Sequence, residues 1–309
     1  MALYLSDDDV RKVLTTAVCV DVLDDLFKQE SRGLVENLPR QRLRFGSSGG
    51  SIMGGVALGS QAYLVRHSSV SLLYNTETGK LDAVLPPNTV AWMRTGAASG
   101  LATKYMARPD SKIVGMIGTG RQAVTQLEAI CSVRPIQQVK VFSRNAETRE
   151  KFAREMEDRV GVEVVPVPTT EQCIEGSDIV VTITNAREPV FDGKLLAPGM
   201  HINAAGNNGA AKREIDETTI QRADLIVLDN KQQAQMECGE LIAAAANGTF
   251  RWARAFELHN IVGGAVSGRP SANAITLFES QGIGIEDTAA SAYVLKKARE
   301  QGLGQDLPF

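Results

Sequence analysis

Aromatic residues make up only 5% of this 309-residue sequence, and there are three histidines and four cysteines. So few aromatics argue against a platform on which bases could stack. His67, His201 and His259 are too dispersed for a histidine-rich zinc site, and no metal centre is expected. Cys19, Cys131, Cys173 and Cys238 form no C-x-x-C pair, which fits free thiols in a reducing compartment and predicts a cytoplasmic protein. No apolar run approaches the roughly 18 residues of a membrane span. The start, MALYLSDDDV, lacks the basic and then apolar order of a signal peptide. The net charge of -3 steers the chain toward neither nucleic acid nor an anionic membrane. With 43% hydrophobic residues, the length suits one large or two ordinary globular domains.

The chain changes rhythm near its middle. Ser6-Asp7-Asp8-Asp9 reads as a cap before a helix running to about Arg32. Strands are expected at 40–45, 51–56, 61–65, 70–75 and 81–85, with Thr78-Gly79 as a hairpin turn. Arg40, Arg42 and Arg44 alternate onto one face of the first of these. Residues 95–107 read as an alanine-rich helix, ended by Pro109-Asp110. From Lys112 onward strands and helices alternate. Strands are expected at 113–117, 138–142, 163–166, 179–182, 201–204 and 225–228, and helices at 121–133, 146–160, 170–175 and 237–246. Repeated βα units with apolar strands predict a parallel sheet covered on both faces. A last helix, 285–301, opens on Glu286-Asp287-Thr288 and is expected to pack back on the first region. The chain therefore reads as α/β: a central Rossmann-type domain at 113–285, and an α+β substrate domain built from 1–112 and 286–309.

KIVGMIGTGRQA, residues 112–123, is a strand, a glycine turn and a helix start. Gly118, Gly120 and Ala123 fill a G-x-G-x-x-A dinucleotide fingerprint: a tight turn, a close approach to pyrophosphate, and close packing of helix on sheet. No GKS or GKT follows, so a P-loop is excluded. Thr119, Arg121 and Gln122 complete the turn, with Arg121 near the phosphates. The second strand ends in Ser143-Arg144-Asn145, where an NAD site would carry an acidic residue for the ribose hydroxyls. Arg144 can offer a guanidinium fork to a 2′-phosphate, with Ser143 and Asn145 as uncharged donors. NADP(H) is therefore favoured, with NAD(H) as the alternative. Thr184, Asn185 and Ala186 follow one later strand, and AGNNG, with Asn207 and Asn208, follows another. Ligands of such sheets lie outside these strand ends.

The chain resembles the ornithine cyclodeaminase/mu-crystallin family over nearly its whole length. The most specific stretch is WMRTGAASGLATKYMARPDSKIVGMIGTGRQA, residues 92–123; YNTETG at 74–79, PGMHIN at 198–203, Glu214-Ile215-Asp216 and the closing GIGIEDTAASAYVLKKAREQG add to it. The resemblance implies a homodimer acting on a small carboxylate, with hydride moving between a nicotinamide and an amino or imino carbon. It implies that Arg94 clamps the substrate carboxylate and that Arg42 or Arg40 supplies a second arginine. Met53, Gln61, Tyr63, His67, Asn208 and Gly264-Ala265 would shape the pocket, with Arg94, Gln61 and Asn208 at the reacting centre. Two positions depart from the family pattern: Gln61 stands where it has a lysine, and Asn208 where it has an aspartate. Gln61 carries no charge and Asn208 cannot act as a carboxylate base. Tyr63, His67 or Lys104 could restore a proton donor. These departures favour reduction of a preformed imine over ornithine cyclodeamination, and they leave open a protein that binds NADPH without turnover.

Overall fold

The structure, a computed structural model, describes residues 1–308. Its chain divides into two compact units, 1–97 with the segment from 283 onward, and 98–282. The boundaries fall at 97/98, within a helix, and at 282/283, where the sequence reading puts them at 112 and 285.

The first unit opens with β1 (Ala2–Tyr4), α1 (Asp7–Val13) and α2 (Thr16–Glu30). The pattern predicts one helix here. Leu14 instead turns to extended backbone, and the Thr15 hydroxyl accepts from the Val18 N–H to cap a second helix. β2 (Val35–Phe45), β3 (Ser48–Ala57), β4 (Ala62–His67), β5 (Val70–Asn75) and β6 (Leu81–Leu85) follow as an antiparallel series. α3 (Pro87–Met106) begins well before the expected Thr95, because Pro87 suits the first turn of a helix. The break between the units lies within α3.

The second unit continues with β7 (Ile113–Ile117), α4 (Arg121–Val133), β8 (Gln138–Phe142), α5 (Ala146–Val160), β9 (Glu163–Pro166) and α6 (Thr170–Ile174). Then come β10 (Ile179–Thr182), β11 (His201–Ala204), α7 (Glu217–Arg222), β12 (Leu225–Leu228), α8 (Lys231–Glu237) and α9 (Gly239–Ala246). The helix expected at 237–246 is thus split in two, with Cys238 extended between α8 and α9. β13 (Ala255–Glu257), α10 (Leu258–Val262) and β14 (Thr276–Glu279) complete the unit. The eight strands run parallel in the order β13-β12-β14-β11-β10-β7-β8-β9. β10 is fully buried and apolar up to Thr182; Val180 joins the cluster on one face, and Ile179 and Val181 that on the other. Each such side chain contributes roughly 1.5–3 kcal/mol by leaving water, which makes the sheet a rigid mount for the loops at its ends.

The chain then returns to the first unit as α11 (Gly284–Gln301) and β15 (Gln305–Leu307). The sheet there is ordered β15-β1-β6-β5-β4-β3-β2, with α11 packed on β2, β3, β4 and α2. Asn37 Oδ1 accepts from the Gly284 and Ile285 N–H groups, and Thr288 donates to the Gly55 carbonyl. A side chain at Gly284 would collide with the backbone of Gly54, so glycine here lets helix and sheet touch.

Candidate active site

At the carboxyl end of β7 the chain reverses neighbours: β8 lies on one side and β10 on the other. This switch point is where open α/β sheets bind ligands. Gly118 has φ +115°, and any Cβ there would run into the Ile183 carbonyl. Its N–H donates to the Phe142 carbonyl at 2.9 Å, tying the turn to β8. Gly120 caps α4 without a side-chain hydrogen bond, and a Cβ built on it meets nothing within 4 Å. Open space therefore lies over the first turn of α4, where the Ala123 N–H already donates to the Gly120 carbonyl at 3.0 Å and the positive end of the helix dipole faces that space. Ala123 is buried against the sheet, and the buried Gln122 Oε1 accepts no hydrogen bond. Tight turn, open cradle and helix N-terminus together fit a dinucleotide pyrophosphate. Thr119 is half-buried and Arg121 exposed beside it.

At the end of β8, Arg144 is exposed. The neighbouring donors are partly committed. Ser143 gives its hydroxyl proton to the Asn145 carbonyl at 3.1 Å, and Asn145 Oδ1 caps α5 by accepting from Thr148 N–H. Ser143 is therefore not a free donor in this arrangement, while the Asn145 amide nitrogen still is. Arg149, which sequence reasoning overlooked, donates to the Ser143 carbonyl at 2.8 Å and lies over the Phe142 ring. It stiffens the segment that presents Arg144.

The loops after β10 and β11 meet at Glu214. Thr184 N–H and Oγ1 each donate to Glu214 Oε1 at 2.6 Å, and Gly206 N–H donates to Oε2 at 2.7 Å. Thr184 also accepts from Ala186 N–H, and Asn185 is exposed. Asn207, expected at the cofactor, has its side chain turned into its own loop. Its amide donates to Lys212 O and Glu240 Oε2, each at 2.6 Å, while its oxygen accepts from Gly209 N–H. Asn207 is a buried strut of the loop, and Asn208 beside it is exposed. At the other end of β11, burial holds His201 neutral, pushing its pKa down to about 3, with hydrogen bonds to Thr276 and Asn203.

In the first unit, Arg94 is 4% exposed. Its Nη1 pairs with Glu286 at 3.1 Å and its Nε with Asp287 at 3.2 Å, while Arg66 reaches Asp287 at 2.8 Å. The acidic pair that opens α11 reads in sequence as a helix-start signal; in the structure it neutralises two arginines. Met53 faces Arg66 across β3 and β4 and is buried. His67, the next residue after Arg66, points to the opposite face and is exposed, beside Gly50. The structure therefore separates Met53 from His67, which were expected to line one pocket. The alternation expected of Arg40 and Arg42 is also broken: a register shift between Leu38 and Gln41 leaves Arg40 buried and Arg42 exposed.

Gln61 does not lie in a strand. It occupies the turn before β4 with φ +51° and donates to Glu77 at 2.7 Å. It borders a groove with Asn75, Asp82 and Arg299, apart from the Arg94 quartet's hydrogen bonds. Tyr63 stacks on Tyr74 with ring centres 4.8 Å apart. Among the described residues no helix is long and apolar enough to cross a membrane.

Known proteins are similar throughout. The description "Ornithine cyclodeaminase/mu-crystallin family" matches residues 25–302. A Δ1-pyrroline-2-carboxylate reductase of Bacillus cereus is 34% identical over 78% of this chain and 74% of its own length. The solved structure of Thermococcus litoralis Δ1-pyrroline-2-carboxylate reductase in complex with NADH and L-proline has 34% identity and TM-score 0.94, covering 99% of this chain and 100% of that one. An archaeal alanine dehydrogenase dimer with bound NAD has 28% identity and TM-score 0.93, covering 100% of this chain and 99% of that one.

Proposed function

Because the chain belongs to the ornithine cyclodeaminase/mu-crystallin family, we propose that it is a nicotinamide-dependent oxidoreductase that reduces the C=N carbon of a small 2-imino carboxylate. In reverse it would oxidise the matching amino acid. The observation that carries this reading is the glycine turn at the carboxyl end of β7, with Gly118 at φ +115° and open space over Gly120 at the start of α4, while Asn208 on the loop after β11 offers no carboxylate. An amine substrate needs a base to shed its proton, and Asn208 is none. A preformed imine arrives electrophilic and needs only orientation and a held carboxylate.

A bound nicotinamide would supply the hydride. The chain's own residues do the rest. The first turn of α4 would receive the pyrophosphate. Arg94 would hold the substrate carboxylate through its guanidinium fork. Its charge, however, is already shared with Glu286 and Asp287, and the charges of this pair and of Arg66 and Arg94 cancel. An anionic substrate is therefore favoured only with a further cation, and the buried Arg40 is the candidate. Arg144, with no carboxylate at the end of β8, supports NADP(H). NAD(H) is the second reading, supported by the nucleotides in the two solved relatives. A homodimer fits the dimeric archaeal relative and the exposed Leu38, Leu43 and Phe45 on the edge strand β2.

The test is NADPH and NADH consumption with pyrroline-2-carboxylate, piperideine-2-carboxylate, and pyruvate with ammonia or methylamine. Turnover with a cyclic imine is expected. Ammonia release from ornithine would favour cyclodeamination instead. Nucleotide binding with no turnover on any substrate would leave a silent NADPH-binding protein.

A further inference from the structure

We propose that Glu214 is a positioning residue of the dinucleotide site: its carboxylate fastens the loop after β10 to the loop after β11 and sets where both present their backbone to the ligand. The proposal rests on the dinucleotide half of the function proposed above. Glu214 is fully buried and accepts four hydrogen bonds, from Thr182 Oγ1 at 3.1 Å, Thr184 N–H and Oγ1 at 2.6 Å each, and Gly206 N–H at 2.7 Å. One carboxylate thus joins loops that follow neighbouring strands, at the sheet edge where the glycine turn also lies. The fit is close. A Cβ on Gly206 would collide with the Thr184 backbone and lie 2.6 Å from Glu214 Oε1.

A second carboxylate extends the fastening. Glu240, at the start of α9, accepts from Asn207 Nδ2 at 2.6 Å and from Glu214 N–H at 3.3 Å. The loop bearing Asn208 is thereby held from below at Gly206 and Asn207. Each of these four partners donates to the Glu214 carboxylate, so its ionised form matches the site. Protonation would set a hydrogen against the Thr184 or Gly206 N–H, and only the two hydroxyls can rotate to accept it.

The groups around Glu214 are Glu240 from α9, Glu279 at the end of β14, Asp229 after β12, the Cys238 thiol between α8 and α9, and Arg213 beside it in sequence. Burial raises the pKa of Glu214 to about 7, with the charge of Glu240 adding to it. Burial also raises Glu240, Glu279 and Cys238. The unit's two histidines, His201 and His259, are both shifted downward by burial.

The experiment titrates NADH and NADPH into the full-length protein by fluorescence, from about pH 8 to about pH 6, with Glu214→Gln, Glu214→Asp and Glu240→Gln variants checked by circular dichroism. Glu214→Gln keeps the shape but turns an amide N–H toward a backbone N–H; Glu214→Asp falls short of one loop. Both are expected to weaken NADH binding about tenfold, the effect of losing one charge-assisted hydrogen bond. Wild type and Glu240→Gln should bind more weakly on acidification, while Glu214→Gln should hold one affinity across the range. Should both Glu214 variants fail to fold, an acid response in Glu240→Gln displaced to lower pH, as loss of the Glu240 charge requires, supports the proposal, and its disappearance overturns it. If wild type binds but Glu214→Gln keeps the same affinity and pH profile, the proposal is wrong. If wild type binds neither nucleotide, the proposed function fails with it.

Discussion

Arg94→Met probes the buried quartet more sharply than any other single change. Methionine fills similar length without charge, so Glu286 loses its 3.1 Å partner and Asp287 its 3.2 Å contact. Asp287 keeps Arg66 at 2.8 Å, so the main penalty falls on Glu286, whose side chain is fully buried. Removing one member of a buried ion pair costs about 3–5 kcal/mol, and the surviving Arg66 places the expectation near about 3 kcal/mol. Against a total stability on the order of 5–15 kcal/mol this is a large fraction. Arg94→Met with Glu286→Gln removes the stranded charge and should recover at least about half of the loss. Urea unfolding followed by circular dichroism reads both as midpoint shifts at constant slope. A loss below about 1 kcal/mol, or no recovery in the double variant, would refute the ion-pair account. The same arithmetic bears on kinetics: an Arg94 variant that loses turnover is informative about carboxylate binding only once shown to be folded.

Other outcomes separate fold from ligand. Gly118→Ala should destabilise by a few kcal/mol, about the cost of a forced positive φ plus a steric clash with Ile183, while Gly120→Ala should leave the midpoint unchanged and weaken dinucleotide binding, both read by thermal melts and titration. Arg144→Ala should weaken NADPH far more than NADH in equilibrium titrations; equal losses would remove its assignment to the 2′-phosphate. Stability should fall as pH rises from about 4.5 to about 7, because folded Glu214 retains a proton that the unfolded chain has already lost. The span is up to about 3 kcal/mol at 1.36 kcal/mol per pKa unit, and Glu214→Gln should flatten this part of the denaturation profile. Folding stability and nucleotide affinity would then respond to pH in opposite directions.

Much of the second unit is legible in sequence because its signals are local. β7, α4, β8 and α5 lie where apolar runs, the glycine turn and the Asn145 cap place them. β14 escapes notice because TLFE is too short to alternate and follows a long Gly- and Ser-rich stretch, yet it sits centrally between β11 and β12. The site divides the same way. Gly118 and Gly120 act through their own backbone and can be read directly. Arg94 meets Glu286 across 192 residues of chain, so the sequence shows a basic residue and an acidic helix start but not their pairing. The fate of Asn207 depends on Glu240, and the burial of Arg40 on a register shift; both are settled by packing rather than by local pattern.

The pairing of β1 with β15, Ala2 opposite Leu307, bears on how the chain is made. A ribosome releases residues 98–282 as one continuous stretch, so that unit can fold while synthesis proceeds. The other unit must wait: α11 and β15 are its last pieces, and β1 at the first residues stays unzipped along one edge until they emerge. Translation halted before residue 305 should therefore yield chains with a finished second unit and an open sheet edge, which is prone to pair with another chain.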